Sequence, residues 1–276
     1  MLKLDCCMTT DVGKKRENNE DNFYLNGTYK RVPDELRYEK SDLIYKRGIF
    51  AVCDGMGGEE YGEKASLFAV ETLKEYQEKE FSFYIQEYIE NANQKICDFM
   101  EENNGVRSGT TLALLYIENH HAVSYNVGDS RVYLFRNGTL TQLSEDHTGA
   151  ARMIKMGVLT KEQAKKHRDR NLLTQYLGIF PEELIIQAHK SEVIELLPND
   201  IFLLCSDGLT DMLEDDEIAT ILEKEKSVAE YAIALKEAAL ANGGKDNVTV
   251  GIIKNMEKPK GILEKFFQSL VNRNNK

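Results

Sequence analysis

Four aspartates in this chain stand beside short apolar runs, in turns that contain glycine. Asp54 and Asp207 each follow an apolar run and precede a glycine, whereas Asp129 and Asp246 lie in glycine-containing turns next to other apolar runs. Carboxylates that lie close together repel one another unless a cation neutralises them. Oxygen ligands of this kind suit Mg²⁺ or Mn²⁺ better than Zn²⁺. Because a single Asp-Gly pair is usually an ordinary turn, the spacing leaves a metal centre and a set of turns as open alternatives.

Rigid elements must position these aspartates, and the sequence contains several short strand patterns. The predicted strands are residues 49–53, 111–117, 122–127, 131–135, 140–143, 201–205 and 248–253. Asn137-Gly138 predicts a two-residue hairpin turn between two of them. Because a strand end is rigid, it can fix the position of a carboxylate closely.

Helical periodicity fills much of the remaining chain. The predicted helices are residues 60–78, 83–102, 214–224 and 227–241. Ser227 is the predicted N-cap of the last helix, and Gly243-Gly244 is its predicted end. Hairpins and helix pairs occupy separate stretches, which favours an α+β fold of antiparallel sheets covered by helices over a parallel βαβ sheet.

The composition is that of a folded protein without an electrostatic surface for nucleic acid. The 276 residues are 42% hydrophobic and 29% charged, with a formal charge of −11. This length is enough for a large core and lies near the upper limit for one domain. The negative charge disfavours nucleic acid, so phosphate binding requires a local cation or a metal ion.

The cysteines do not indicate disulfides or zinc. Their number, five, is odd and their spacing is irregular, which argues against a disulfide framework. Cys53 and Cys205 lie in apolar runs and are predicted to be buried small hydrophobes. The sequence has neither the apolar core of a signal peptide nor an apolar run long enough to span a bilayer. The expected location is therefore the cytoplasm.

A series of motifs runs from Val12 to Ile253. The motifs are Gly13-x-x-Arg16-x-x-Asn19-Glu20-Asp21, Phe50-Ala51-Val52-Cys53-Asp54-Gly55-Met56-Gly57-Gly58, Ser108-Gly109-Thr110-Thr111, Gly128-Asp129-Ser130-Arg131-Val132-Tyr133, Asp146-His147, Leu204-Cys205-Ser206-Asp207-Gly208-Leu209 and Asp246-Asn247-Val248-Thr249-Val250. Each motif alone is weak, but their common order is specific. In this order they resemble the metal-dependent Ser/Thr protein phosphatases, the PPM or type 2C family, in its bacterial form. The resemblance implies a central sandwich of two antiparallel sheets with helix pairs on both outer faces, in αββα layers.

The resemblance also implies a metal centre of two tightly bound Mn²⁺ or Mg²⁺ ions. Asp54 matches the carboxylate that bridges the two ions, and Gly55 matches the residue whose main-chain carbonyl binds one of them. Asp207 and Asp246 match the ligands of the other ion. The turn aspartates thus acquire distinct expected roles.

Further acidic residues match the surroundings of these ions. Glu20 and Asp21 match groups that hold metal-bound waters. Asp129 and Asp211 match groups that bind a weaker third ion together with Asp207. All of these carboxylates are present in the sequence, which argues against a catalytically silent member of the family.

The implied reaction is attack of a metal-activated water on the phosphorus of phosphoserine or phosphothreonine. Arg16 matches the arginine that binds phosphate, and its planar fork suits two phosphate oxygens. Many eukaryotic relatives carry histidine where this chain has Met56, and a thioether cannot donate a proton to the leaving group. A metal-bound water near the third site and His147 are the alternative donors, although the Asp-His pair is usually structural in the family.

Three segments have no assigned chemistry. Residues 27–47 are predicted to form an extended hairpin or loop, with a partner surface as the alternative. Residues 149–183 match the flap beside the active site and are predicted to contain short helices, including residues 161–167. Residues 256–276 form a basic amphipathic tail, which either contacts a membrane or partner or packs on its own domain, and residues 1–255 form the catalytic domain.

The sequence therefore predicts a monomeric protein serine/threonine phosphatase with phosphoprotein substrates and a bacterial Ser/Thr kinase as its antagonist. A phosphatase for another phosphoester and a catalytically silent phosphoprotein-binding scaffold are the alternatives. No nucleic-acid partner is expected.

Overall fold

Alternating burial along the first strand shows how the layers are organised. Cys6 and Cys7 are neighbours in sequence, yet Cys6 packs in the core between two sheets and Cys7 packs beneath helices on an outer face. Successive side chains of a strand point to opposite faces of its sheet. Both faces of this strand are therefore covered.

The computed structural model describes residues 2–31, 37–45, 47–56 and 61–256. The strands are β1 (Leu2–Asp11), β2 (Asn22–Leu25), β3 (Thr28–Tyr29), β4 (Arg37–Tyr45), β5 (Arg47–Cys53), β6 (Gly55–Met56), β7 (Gly109–Thr110), β8 (Leu112–Glu118), β9 (His121–Val127), β10 (Arg131–Arg136), β11 (Thr139–Gln142), β12 (His189–Lys190), β13 (Ile194–Glu195), β14 (Ile201–Cys205) and β15 (Val248–Asn255). The helices are α1 (Gly62–Glu75), α2 (Phe81–Glu102), α3 (Gly149–Lys155), α4 (Lys161–Ala164), α5 (Asp207–Thr210), α6 (Asp215–Leu222) and α7 (Val228–Ala241).

Two antiparallel sheets form the centre of the fold. One sheet has the strand order β11-β10-β14-β15-β1-β4, and the other has the order β12-β9-β8-β5-β2-β3, with β13 also pairing with β9. A short ribbon of β6 and β7 lies outside both. The predicted α+β fold with antiparallel sheets is confirmed.

Three apolar clusters fill the spaces between the layers. The central cluster includes Met8, Phe50 and Phe202 and lies between the two sheets. Helices α1 and α2 pack on the second sheet, and helices α6 and α7 pack on the first. The layer order is therefore αββα, as the sequence resemblance implied.

The predicted strands are all present, and their ends differ by at most two residues. The turn at Asn137-Gly138 is also present, with positive φ angles of 52° and 77° at its two residues. Asparagine and glycine tolerate this left-handed backbone better than other residues. All five cysteines are buried and free, in agreement with the prediction for Cys53 and Cys205.

The sequence pattern missed several strands. β1 is central in its sheet and pairs with both β15 and β4, although its alternation includes polar threonines and cysteines. Within residues 27–47, the predicted hairpin or loop is partly wrong because Arg37–Tyr45 forms a strand along β1. Pairing with a strand from another part of the chain decides this outcome.

The helices begin and end close to the predicted positions. Helix α7 begins after Ser227, whose side chain accepts a hydrogen bond from the Glu230 backbone in a capping box. Helix α4 ends at Ala164 instead of His167, and backbone bonds of the tighter i to i+3 type continue to His167. Such bonds commonly replace the last turn of an α-helix.

The predicted tail, residues 256–276, lies outside the described residues except for Met256, whose backbone N–H donates to Lys3 O. Within the described residues, no helix is long and apolar enough to cross a bilayer.

Candidate metal centre

A pocket of about 660 Å³ brings together turns from both sheets. It is lined by seven of the site residues that the sequence predicts: Arg16, Glu20, Asp54, Gly55, Asp129, Asp207 and Asp246. Asp54 directly follows β5 of one sheet, and Asp207 directly follows β14 of the other. Packing the two sheets face to face therefore places these carboxylates in one cavity.

Two predicted site residues lie outside the pocket lining. Asp21 is fully buried behind it, next in sequence to Glu20. Asp211 is exposed, and its Oδ2 accepts a hydrogen bond of 3.0 Å from Asn171 Nδ2. Because Asn171 itself lines the pocket, Asp211 stands at the pocket edge.

Two threonines hold the backbone of Asp54. The Asp54 N–H donates to Thr111 Oγ1 at 3.0 Å, and Thr110 Oγ1 donates to Asp54 O at 2.9 Å. The Thr111 hydroxyl also lies 2.6 Å from Ser130 Oγ, next in sequence to Asp129. One buried hydroxyl thus connects two of the turns that carry carboxylates.

A second group of hydroxyls holds Asp21. Ser206 Oγ and Thr249 Oγ1 donate to Asp21 Oδ2 at 2.8 Å and 2.6 Å. Thr249 Oγ1 also lies 2.7 Å from Thr10 Oγ1, which accepts from Asn19 Nδ2 at 2.8 Å. All five side chains are buried, so the network fixes the Asp21 carboxylate relative to the first sheet.

Asn247 connects the last motif to the first. Its Oδ1 accepts from the Glu20 N–H at 2.8 Å, and its Nδ2 donates to Val12 O and Asn18 O at 2.9 Å each. Each polar atom of this amide is therefore used to hold the loop that carries Arg16 and Glu20 against the turn at Asp246.

The two Asp-Gly pairs require glycine for close packing. A Cβ at Gly208 would lie 1.9 Å from Asn247 O, and a Cβ at Gly55 would lie 2.3 Å from Gly62 O. Neither distance is compatible with a side chain, because backbone atoms cannot move as freely as side-chain ends. These glycines let the turns approach one another.

The carboxylates of the pocket disfavour one another's charge. Burial, followed by repulsion from Asp21 and Asp207, raises the pKa of Asp54 well above its ordinary value. Burial and then repulsion from Asp129 raise the pKa of Asp207 in the same way. Burial, followed by repulsion from Asp146, raises the pKa of Asp129 to about 7. A bound cation would offset this repulsion and favour the ionised forms.

The donor set fits a hard divalent cation. Asp21 Oδ1 and Asp207 Oδ1 are buried and accept no hydrogen bond from any residue that the structure describes. A buried carboxylate oxygen without a partner is costly unless a cation or water satisfies it. Within the described ranges, no group of three or more His, Cys, Asp or Glu side chains lies close enough together to hold a metal ion. The carboxylates therefore share a pocket without forming a closed cage.

Arg16 lies at the mouth of this acidic group. Its Nη2 donates to Asp246 Oδ2 at 2.7 Å, and its side chain remains 57% exposed. This hydrogen bond to Asp246 raises the pKa of Arg16, so the side chain stays charged. A phosphate group in the pocket could therefore meet a cationic fork at the solvent side.

The geometry around His147 supports its structural interpretation. His147 Nδ1 accepts from the Gly128 N–H at 3.2 Å, and burial lowers the pKa of the ring. Its neighbour Asp146 accepts a bidentate bond from Arg131. His147 is not among the residues that line the pocket, whereas Met56 is.

Several residues of the site received no role from the sequence, although five of the six lie within the quoted motifs. They are the hydroxyl and amide groups that hold the carboxylates: Thr10, Thr110, Thr111, Ser206, Asn247 and Thr249. Apart from membership in those motifs, their sequence signal is a small polar residue inside or beside an apolar strand.

Comparison with known proteins gives the same family throughout. A family model described as protein phosphatase 2C matches residues 37–242. The serine/threonine phosphatase stp of Listeria welshimeri is 33% identical over 91% of this chain and 96% of its own length. Protein phosphatase PhpP of Streptococcus pneumoniae is 33% identical over 92% of this chain and 99% of its own.

Solved structures agree with these matches. The crystal structure of the Mycobacterium tuberculosis serine/threonine phosphatase PstP/Ppp has a TM-score of 0.78 and 30% identity, and the match covers 93% of this chain and 100% of that one. A structure of the PstP catalytic domain in complex with two manganese ions has a TM-score of 0.76 and 29% identity, with coverage of 93% and 100%. Ordered motifs, layered fold and acidic pocket all lead to one conclusion: the chain belongs to the protein phosphatase 2C family, the metal-dependent PPM-type protein serine/threonine phosphatases.

Proposed function

We propose that this phosphatase hydrolyses phosphoserine and phosphothreonine in proteins at the pocket lined by Asp54, Asp207 and Asp246. The observation that carries the proposal is the convergence of these carboxylates with Arg16 in one cavity. Carboxylates and an exposed arginine fork together suit a phosphate group and the cations that bind it.

The proposed assignment of the carboxylates is the one that the sequence resemblance implies, and their shared pocket supports it. Asp54, the Gly55 carbonyl, Asp207 and Asp246 would hold two Mn²⁺ or Mg²⁺ ions, with Glu20 and Asp21 close by. When bound, such ions offset the carboxylate charge and lower the pKa of a ligand water so that it attacks phosphorus.

A weaker third ion is proposed at the pocket edge. Asp129 and Asp211 would hold it together with Asp207. Asp129 and Asp207 are half-buried, whereas Asp211 is exposed and accepts a hydrogen bond from Asn171. An exposed ligand that is engaged by another side chain supports weaker binding at this position.

The role of Arg16 is to bind and orient the phosphate. Its guanidinium must exchange the Asp246 carboxylate, 2.7 Å away, for phosphate oxygens. Two parallel N–H bonds to phosphate oxygens fix the orientation of the group for in-line attack. A lysine would supply the charge but not this geometry.

The proposed setting of this phosphatase in the cell is opposition to a protein kinase. A phosphoprotein substrate must be made by a kinase, so a bacterial Ser/Thr kinase is the proposed antagonist of this monomeric, cytoplasmic phosphatase. Residues 1–255 are proposed as the catalytic domain, and residues 256–276 as a separate basic tail.

A direct assay tests the proposal. A phosphothreonine peptide and p-nitrophenyl phosphate are incubated with the protein in the presence of Mn²⁺ or of EDTA, alongside Asp54→Asn. We expect Mn²⁺-dependent hydrolysis of both substrates and its loss in the variant. Activity in EDTA, or hydrolysis of small phosphoesters without any of the peptide, would contradict the proposal.

A further inference from the structure

The segment of residues 149–172, called here the basic segment, has a charge opposite to that of the protein. It contains seven Lys or Arg residues and two Asp or Glu residues, whereas the whole chain carries a formal charge of −11. It includes the short helices α3 and α4. A local excess of cations in an acidic protein marks a surface that attracts anionic groups.

The basic segment begins and ends beside the pocket. Its ends are closed by a bridge between Thr148 and Leu173 and by a bond of 2.8 Å from the Gly149 N–H to Leu172 O. Asn171 and Leu172, at its C-terminal end, line the pocket. The cations of the segment are therefore anchored next to the site where the phosphate is proposed to bind.

Three cations of the segment form ion pairs with acidic residues outside it. Lys155 pairs with Glu145 at 2.8 Å, Arg170 lies 3.7 Å from Asp211, and Lys165 pairs with Glu214. These ion pairs attach the segment to the layers below it. They leave little charge on these three side chains for an external partner.

Four other cations face solvent. Arg152, Lys161 and Lys166 are exposed and pair with no carboxylate among the residues that the structure describes. The Arg168 side chain is 89% exposed, and its partner is the neighbouring Asp169 at 3.4 Å. These four side chains are available to a ligand without breaking a contact to the body.

Arg168 lies within the length of a short peptide from Asn171, which lines the pocket. Arg168 precedes Asn171 by three residues, so their Cα atoms are at most about 11 Å apart. An extended peptide advances about 3.3 Å per residue. An acidic side chain about two to five residues from a phosphorylated residue in the pocket can therefore reach Arg168.

We propose that the basic segment is a docking surface for acidic side chains that flank the phosphorylated residue of the protein substrate. The inference rests on the proposed function, because it specifies which phosphoproteins that site prefers. It assigns a specificity role to four residues outside the catalytic pocket.

The experiment compares two phosphothreonine peptides that differ only in three flanking residues, which are Asp in one and Asn in the other. Initial rates are measured in Mn²⁺ at low ionic strength for the wild type and for a variant with Arg152→Gln, Lys161→Gln, Lys166→Gln and Arg168→Gln. A control variant with Lys64→Gln, Lys74→Gln, Lys224→Gln and Lys226→Gln carries the same change in net charge elsewhere. p-Nitrophenyl phosphate serves as a substrate without flanking residues.

We expect the wild type to prefer the acidic peptide by about fivefold in kcat/KM, chiefly through KM, since exposed ion pairs are individually weak. The segment variant should lose this preference, and the control variant should retain it. Turnover of p-nitrophenyl phosphate should stay the same in all three proteins. Added salt should reduce the preference through screening.

Equal kcat/KM values of the wild type for the two peptides would overturn the inference, as would an equal loss of preference in both variants. Binding to phosphatidylglycerol vesicles that only the segment variant loses, with unchanged peptide preference, would assign the surface to anionic lipid instead. If neither peptide nor p-nitrophenyl phosphate were hydrolysed, the proposed function itself would fail, which is a distinguishable result.

Discussion

The pocket has two walls that are held in different ways. The body wall consists of the strand-end turns, and buried hydroxyls such as Thr249 and Ser206 fix its carboxylates. The other wall, residues 171–176, is joined to the body by the exposed bond from Asn171 to Asp211 and by a few backbone contacts, such as the bond of 2.8 Å from the Thr174 N–H to His147 O. Buried hydrogen bonds to charged groups contribute more than exposed ones. We therefore expect the chemistry to take place on the body wall and the other, more adaptable wall to contribute to substrate selection.

The largest expected effect comes from removing a carboxylate of the body wall. Asp54→Asn should lower Mn²⁺-dependent turnover by on the order of 10²–10³-fold. It should also raise the thermal midpoint in EDTA, because one member of a mutually repelling group is gone. Activity and thermal unfolding are measured together, with Asp98→Asn on α2 as control. A lower midpoint in EDTA would show that repulsion does not dominate the metal-free pocket.

Asp129 tests whether the body wall also assists departure of the leaving group, since Met56 cannot donate a proton. Asp129→Ala should slow a phosphopeptide on the order of 10²-fold. Hydrolysis of p-nitrophenyl phosphate should fall far less, because its leaving group needs no acid. Equal losses on the two substrates would exclude this role for the third-site region.

Thr249 tests the network of buried hydroxyls that holds Asp21. Thr249→Val keeps the shape of the side chain but removes the donor to Asp21 Oδ2. The free energy of unfolding should decrease by about 1–3 kcal/mol, and Mn²⁺ affinity should weaken by about tenfold. Urea unfolding and calorimetric Mn²⁺ titration measure the two effects. Thr220→Val on the exposed face of α6 is the matched control and should leave Mn²⁺ affinity unchanged.

The smallest effect is expected at the adaptable wall. Asn171→Ala removes the bond to Asp211 but should change the free energy of unfolding by only about 0.5 kcal/mol, as exposed substitutions generally do. Amide hydrogen exchange in residues 149–172 should become faster, while exchange in α2 stays the same. Unchanged exchange in residues 149–172 would mean that this contact does not hold the wall.

Much of the fold could be predicted because apolar runs and caps are local signals. β14 has its predicted ends, and α7 begins at the predicted cap, Ser227. β1 and β4 could not be predicted in the same way. Their pairing depends on residues distant in sequence, since β1 lies between β15 and β4. Strand propensity is weak when the neighbours of the strand are unknown.

The amino-acid sequence specifies the chemical groups: carboxylates beside glycines, one arginine near Asn19-Glu20-Asp21, and an order of motifs typical of one family. The packing of the fold shows which groups share the pocket and which support it. Asp21 lies behind the pocket and receives a hydrogen bond from Thr249, 228 residues away. The physical reason is that a carboxylate acquires its environment from burial and from neighbours brought close by the packing of two sheets. Neither the burial of a carboxylate nor its neighbours in space can be read from the spacing of residues along the chain.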